Sequence, residues 1–498
     1  MRRWILIAAA LAIGIALRSW VYGSVLGAPD SDEAIVGLMA RHVLHGELTV
    51  FFWGQPYGGS QEALLAAPFV AIFGTTLFAI RVVPLLLGAA AAVILWRVGR
   101  RLFGETAGVA CALVFWVWPP YELVHGTPAY GFYATNVLYV SLLLLLALRI
   151  TELPSPARMA AFGLVLGLAY WQTAQIIPIA LPIVAWVVWR RPAVLRTAWI
   201  AVGAAVVGAL PWVVWNVSHH GGSVLTRSGL ASYVRGLRLF LSPLLPMLLG
   251  LRAPLAGTAL LPKPILYAVY VVLLGAVVVG AWRARWTKTS LVYLVGLTFP
   301  FIWALSHRVT ILTSHPVYLL VLSPVVALLL GQLGTTVMRA TVLVILCAVV
   351  STVTFHRMEL NLTAANDERW PPPTPRSLVP LEHTLAGHHI HRAYADYWIA
   401  YRLSFDSREV VIASPDQWRR WTVRNRIVTP VPSPAVRYRP YQERVAAARD
   451  HAFVFFVHGY EPEPIRIALL RNAYRRIVDG PFEIWLPPAR ALAAARRT

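Results

Sequence analysis

The residue types best suited to chemistry lie together in Pro29-Asp30-Ser31-Asp32-Glu33, directly after the first apolar run of the chain, 4–22. Downstream, Ile35, Val36, Leu38, Met39, Val43 and Leu44 recur at helical spacing up to Gly46, which predicts an amphipathic helix stopped by a glycine. Asp30 at the N-cap and Glu33 three residues later fit a capping box, which calls for no chemistry. That account leaves Asp32 unexplained. A carboxylate in the first turn of a helix is favoured in its charged form by the helix dipole, the form a general base requires. Asp30-Ser31-Asp32 also reads as a D-x-D, a pattern able to hold a divalent cation through Asp30 and Asp32. No second ligand cluster accompanies it, so no metal is required.

A second segment carries binding chemistry: Phe51-Phe52-Trp53-Gly54-Gln55-Pro56-Tyr57-Gly58-Gly59-Ser60-Gln61-Glu62. Trp53, Gln55, Tyr57 and Glu62 together offer a stacking surface and hydrogen-bonding groups suited to a sugar or a polar acceptor. The glycines permit close backbone approach. Trp53 and Tyr57 also read as interfacial anchors of a membrane protein.

The elements that must position these loops are set by composition. Of 498 residues, 58% are hydrophobic and 13% charged, where soluble domains run near a quarter charged. Apolar runs of roughly 20 residues, enough for a hydrocarbon core of ~30 Å, recur to about Phe355. Spans are expected near 4–22, 79–96, 107–118, 132–148, 160–170, 174–189, 198–215, 265–282, 290–305, 317–330 and 340–355, about 11 in all. The first run is longer than a signal h-region and reads as a span, not a cleaved leader. The apolar stretch 62–73 is too short to cross and is expected to lie in the interface or re-enter.

Arginines fill alternate loops, among them Arg97, Arg100, Arg101, Arg190, Arg191 and Arg339. The positive-inside rule then puts the N-terminus in the cytoplasm and the loops 30–78, 119–131, 216–264 and 306–316 outside. An odd number of spans puts the C-terminus outside as well. The net charge of +22 is explained by lipid headgroups rather than nucleic acid. Cys111 and Cys347 fall in apolar runs, so no disulfide framework or thiolate metal site is expected. After the last span the pattern changes. Residues 1–355 therefore read as an all-α polytopic membrane domain, and 356–498 as a water-exposed α/β domain with helices near 381–386, 393–403 and 464–475 and strands near 409–413, 452–457 and 482–486. Tyr394, Asp396, Tyr397, Trp398 and Tyr401 are expected on one of those helices, as core or as a carbohydrate platform.

Asp32-Glu33 after the first span, Gly54-Gln55-Pro56-Tyr57-Gly58-Gly59, Phe73-Gly74 with Arg81-Val82-Val83-Pro84, Arg100-Arg101-Leu102-Phe103-Gly104 and Ala393-Tyr394-Ala395-Asp396-Tyr397-Trp398 resemble the motifs of one family. It is the polytopic GT-C glycosyltransferases that use lipid-phosphate sugars, in the protein O-mannosyltransferase-like group (glycosyltransferase family 39-like) that includes the lipid A aminoarabinose transferase. The resemblance implies a GT-C-like membrane fold and a polyprenyl-phosphate sugar donor, with a glycan, lipid or protein as acceptor. It implies that Asp32-Glu33 is the catalytic acidic pair, its first acid the general base, and that an outer-loop carboxylate falls on Glu122. The family's late Arg-Tyr pair is replaced by His315-Pro316-Val317-Tyr318. Arg308 is then expected to meet the donor phosphate, or else Arg235 or Arg238, whose other reading is headgroup binding. Because the leaving phosphate is already acidic, one base suffices, and the expected reaction is inverting transfer to an acceptor hydroxyl at the outer face of the cell membrane. A flippase or transporter of lipid-linked saccharides and an inactive GT-C-like scaffold are the competing classes; charges at span ends rather than inside them favour the enzyme.

Overall fold

The computed structural model of the protein describes residues 2–223, 233–254, 258–306, 316–363, 375–415, 422–424, 427–429, 435–457 and 463–489. The chain forms two compact units. The first comprises Met1–Gly27, Tyr57–Gln61 and Val83–Thr363; the second comprises Ala28–Pro56, Glu62–Val82 and Ala364–Thr498.

Among the described residues, five helices are long and apolar enough to cross a bilayer: Arg3–Gly23, Leu77–Phe103, Tyr133–Glu152, Lys263–Ala284 and Val337–Thr363. Ala174–Arg190 and Pro192–Gly208 pass the same test as a pair bent by 114°. The protein is thus a multi-pass membrane protein. Several of the other expected spans are shorter apolar helices, Glu105–Val117, Ser290–Trp303 and Val317–Gly331. Gln61–Phe73, 13 residues long, is too short to cross, as its apolar run predicts. Tryptophan and arginine mark helix ends: the Arg285 guanidinium lies 4.2 Å from the Trp282 ring centroid and that of Arg190 5.7 Å from Trp189, the pairing of an interfacial ring with a snorkelling cation.

The first unit's core is a continuous cluster of Leu, Val, Ile, Ala and aromatic side chains drawn from most of its helices. Its tightest helix contact uses small residues. Pro156–Gln172 begins with Ser155 as N-cap, accepting from the Arg158 amide at 3.3 Å, and runs against Ala198–Gly208. A Cβ added at Gly167 would sit 2.0 Å from the Ala205 carbonyl oxygen, so only hydrogen fits between the two backbones. In lipid such close approach replaces the missing hydrophobic drive between helices. Gly167→Val is expected to force them apart and cost about 1–3 kcal/mol, read as a lowered melting temperature of the protein in detergent.

The second unit contains a five-stranded sheet in the order β2-β1-β5-β7-β6, with β1 Arg392–Ala395, β2 Ile412–Pro415, β5 Ala452–Phe456, β6 Arg475–Asp479 and β7 Phe482–Leu486. A separate antiparallel pair is formed by β3 Thr422–Arg424 and β4 Ile427–Thr429. β1 pairs in parallel with β2 and β5, while β7 is antiparallel to both β5 and β6. The strands AFVFF and FEIWL are buried along their whole length, as expected of inner strands covered on both faces. Leu381, Leu385, Ile399 and Leu403 of the flanking helices join the sheet residues in one core.

Residues 375–489 contain both helices and strands, and two of the expected elements are corrected. The expected helix 393–403 begins as strand β1, Arg392–Ala395, and only then becomes the helix Tyr397–Asp406. Tyr394 therefore lies on the sheet, stacked 5.5 Å from Phe453. The expected helix 464–475 ends at Arg471 and is followed by strand β6.

Candidate functional site

The helix Ser31–Leu44 starts where the capping box predicts, with Asp30 as N-cap accepting from the Glu33 amide at 3.0 Å. Within the second unit it packs on Tyr397–Asp406. A Cβ on Gly37 would meet the Phe405 ring at 2.1 Å, so the glycine lets the two helices touch. Arg402, 1% exposed, fixes the entry of the first helix. Its Nη1 donates to the Pro29 carbonyl at 3.1 Å and to that of Pro375, and its Nε to Asp406 at 3.2 Å.

This packing brings Tyr397 to the first turn. The Ser31 hydroxyl donates to the Tyr397 carbonyl, and the Tyr397 hydroxyl donates to Asp32 Oδ1. Arg437 Nε donates to the same hydroxyl at 3.3 Å. Close packing, then the charge of Asp32, pushes the Asp30 carboxyl up to about 8. A proton on Asp30 relieves the repulsion between carboxylates two residues apart. Among the described residues no three of His, Cys, Asp and Glu converge to hold a metal.

Glu33 has a different environment from Asp32. It is fully buried, and Arg81 Nε and Nη2 donate to its two oxygens at 2.6 Å each, the bidentate geometry that makes Arg–carboxylate pairs strong. Glu33, expected to be catalytic alongside Asp32, thus has both oxygens engaged by Arg81. Trp53 is likewise no open platform. It is 4% exposed, with one face stacked on Tyr438 at 3.9 Å and an interplanar angle of 12°. Gln55 is buried in the same unit, as is Glu62.

Tyr57 belongs to the first unit, half-buried with its ring 6.4 Å from Phe132. The loop that follows it is held by the Gly59 amide donating to the Gln172 carbonyl at 2.7 Å. Glu122 is also in the first unit. Burial pushes its carboxyl up to about 8 against the opposing pull of Arg18 and of the Ser323 hydroxyl, which lies at 3.4 Å. Arg235 and Arg238 are exposed on the short helix Tyr233–Leu239. Arg308 lies outside the described residues.

One cluster escaped the sequence reading. His42 Nδ1 is 2.7 Å from Glu47 Oε2, and its Nε2 is 3.1 Å from Glu409 Oε1. Arg41 Nε and the Tyr441 hydroxyl donate to Glu409 at 2.8 and 2.7 Å, and the Tyr438 hydroxyl donates to Glu47 at 2.9 Å. Burial opposes a charge on His42, but hydrogen bonds and charge from Glu409 and Glu47 outweigh it and raise its pKa above 6.5. Burial likewise opposes a charge on Glu409, and His42, Tyr441 and Arg41 outweigh it, lowering that carboxyl from 4.5 to about 2. The sign of each shift sets a window. The raised His42 stabilises the fold fully below pH 6.5, and this is lost as pH rises through its folded value. The lowered Glu409 stabilises above pH 4.5, and this is lost as pH falls towards 2. Melting temperature is expected to peak between those limits and to decline above pH 6.5, a decline that His42→Gln flattens; scanning calorimetry across pH checks it.

Residues 62–215 match the model of the dolichyl-phosphate-mannose-protein mannosyltransferases. No curated protein matches the chain. Among solved structures it is similar to ArnT from Cupriavidus metallidurans in the apo state, with 13% identity over 98% of each chain and a TM-score of 0.64. The same protein bound to undecaprenyl phosphate matches with 12% identity over 98% of each chain and a TM-score of 0.61. The apo oligosaccharyltransferase of Archaeoglobus fulgidus is 14% identical over 91% of this chain and 69% of its own, with a TM-score of 0.47. With a polytopic helical unit, a second unit built on a five-stranded sheet, and a likeness to ArnT that runs through nearly the whole of both chains, the chain has the GT-C glycosyltransferase fold in its ArnT-like form.

Proposed function

We propose that the protein is an inverting glycosyltransferase that moves a sugar from a polyprenyl-phosphate carrier to an acceptor hydroxyl at the outer face of the cell membrane. The observation that carries this reading is the half-buried carboxylate of Asp32 in the first turn of Ser31–Leu44, beside a Glu33 fully engaged by Arg81. Two adjacent acids with separate environments supply one proton acceptor and one structural anion. The likeness to a fold whose ArnT example is bound to undecaprenyl phosphate supports a lipid-phosphate donor.

In this mechanism the acceptor oxygen attacks the anomeric carbon as its proton passes to Asp32. The bond from that carbon to the phosphate oxygen breaks on the opposite face, and polyprenyl phosphate leaves with the electron pair. The leaving group is stable as an anion, so no general acid is needed, in contrast to hydrolysis by paired carboxylates. Arg308, or the exposed Arg235 or Arg238, would meet the phosphate, while Gln55, Tyr57, Glu62 and Glu122 are the polar groups expected to bind the sugar or the acceptor. The arginine-rich alternate loops support a cytoplasmic N-terminus, and the odd number of spans expected from the apolar runs supports a C-terminal domain on the outside.

The test is transfer from radiolabelled polyprenyl-phosphate sugars by the purified protein in lipid discs, with pooled envelope glycans, lipids and proteins as acceptors. Label is expected to move to an acceptor with inversion at the anomeric carbon. No transfer from any donor, together with movement of labelled lipid between leaflets of a vesicle, would overturn the enzyme in favour of a flippase.

A further inference from the structure

We propose that Tyr397 is a positioning residue for Asp32, its hydroxyl holding one carboxylate oxygen so that the other faces the acceptor. This deepens the glycosyltransferase reading and rests on it. Tyr397 is bonded to two consecutive residues of the first turn: its carbonyl accepts from the Ser31 hydroxyl and its own hydroxyl donates to Asp32 Oδ1. Among the described residues Oδ2 takes no hydrogen bond. A carboxylate gripped by one oxygen is fixed in rotation about its Cβ–Cγ bond, so the second oxygen has a defined direction. That is what a general base needs, because proton transfer demands alignment as well as proximity.

The phenol is itself held. Asp396 caps its helix by accepting from the Trp398 amide at 2.9 Å. Arg437 Nε donates to the Tyr397 hydroxyl at 3.3 Å, and its guanidinium lies 5.4 Å from the ring centroid. The Arg437 and Tyr438 amides both donate to the hydroxyl of Tyr401, one turn on. Burial, then the charge of Asp32, raises the Tyr397 pKa well above its ordinary value, so the hydroxyl keeps its proton and stays a donor. During transfer the acceptor's proton goes to Oδ2, and the Tyr397 proton stays on its own oxygen.

The plain alternative is that Tyr397 only staples two helices together. The two roles separate in kinetics measured on the full-length protein in lipid discs. Tyr397→Phe keeps the ring and removes the donor; it is expected to lower kcat roughly tenfold or more with the donor KM and the melting temperature unchanged. In an Asp32→Glu background, whose longer carboxylate leaves the grip of Tyr397, the same substitution is expected to add no further loss. Unchanged kcat with a lowered melting temperature, or losses that simply add, would leave Tyr397 a staple and overturn the proposal. Should Tyr397→Phe fail to fold, 3-fluorotyrosine incorporated at position 397 replaces it as an isosteric, stronger donor. A changed kcat at constant KM then supports the role and an unchanged kcat overturns it. Transfer lost in Asp32→Asn but kept in Tyr397→Phe sinks only the positioning role, whereas transfer undiminished in Asp32→Asn sinks the base itself.

Discussion

Replacing Asp32 by Asn is expected to slow sugar transfer by a factor of roughly 10² to 10⁴, the usual contribution of a positioned general base, while donor binding and the melting temperature stay as in the wild type. At about 1.4 kcal/mol per tenfold change this is about 3–5 kcal/mol of the activation barrier. The substitution is nearly isosteric, and the amide oxygen can still accept from the Tyr397 hydroxyl, so the packing of Ser31–Leu44 on Tyr397–Asp406 has no reason to change. What is lost is the ability to take a proton. Glu122 is the rival acid, and its environment argues against it. Burial raises its carboxyl to about 8, so most of it carries a proton at neutral pH and has nothing to accept with. Glu122→Gln is therefore expected to cost far less than Asp32→Asn when both are assayed at pH 7. Equal losses would put the base in the first unit instead.

Much of this site is legible in local sequence because helix starts are local events. The N-cap, the acidic first turn and the apolar spacing of residues 35–44 predict the helix observed at Ser31–Leu44 and its cap at Asp30. The fates of the acids are not local. Glu33 and Arg81 are separated by 48 positions, and Asp32 and Tyr397 by 365, so nothing in either neighbourhood distinguishes a structural acid from one with an unbonded oxygen. The Trp53 ring shows the same limit: an aromatic beside Gln55 and Tyr57 reads as a platform until Tyr438 is seen stacked on it. In the C-terminal part, strand β1 was hidden because its four residues run straight into Tyr397–Asp406, whose spacing is helical. Strand β6 was hidden because RRIVD, with both arginines exposed, lies at the sheet edge and lacks the apolar run of an inner strand. The span count suffers from a related cause. Apolar length marks residues that avoid water, and it does not separate a long crossing helix from a pair bent by 114° or from a short helix buried among others.

The largest stability effect is expected at Arg81. Arg81→Met removes the guanidinium that donates to both oxygens of Glu33, whose side chain is fully buried, and leaves a carboxylate without its counter-charge in a site closed to water. Breaking a buried pair in this way costs about 3–5 kcal/mol, much more than the pair is worth against an apolar isostere. For a unit of this size the melting transition should fall by roughly 6–20 °C, followed by tryptophan fluorescence in detergent. Glu33→Gln together with Arg81→Met replaces the ion pair by neutral groups of similar volume and is expected to recover a large part of that loss, since the penalty lies in the stranded charge. The same comparison separates structure from chemistry. If Glu33 only anchors the turn, the stable double variant keeps Asp32 in place and retains most of the transfer rate. A double variant that is as stable as the wild type but inactive would return Glu33 to the reaction itself, as a group whose charge the transition state requires.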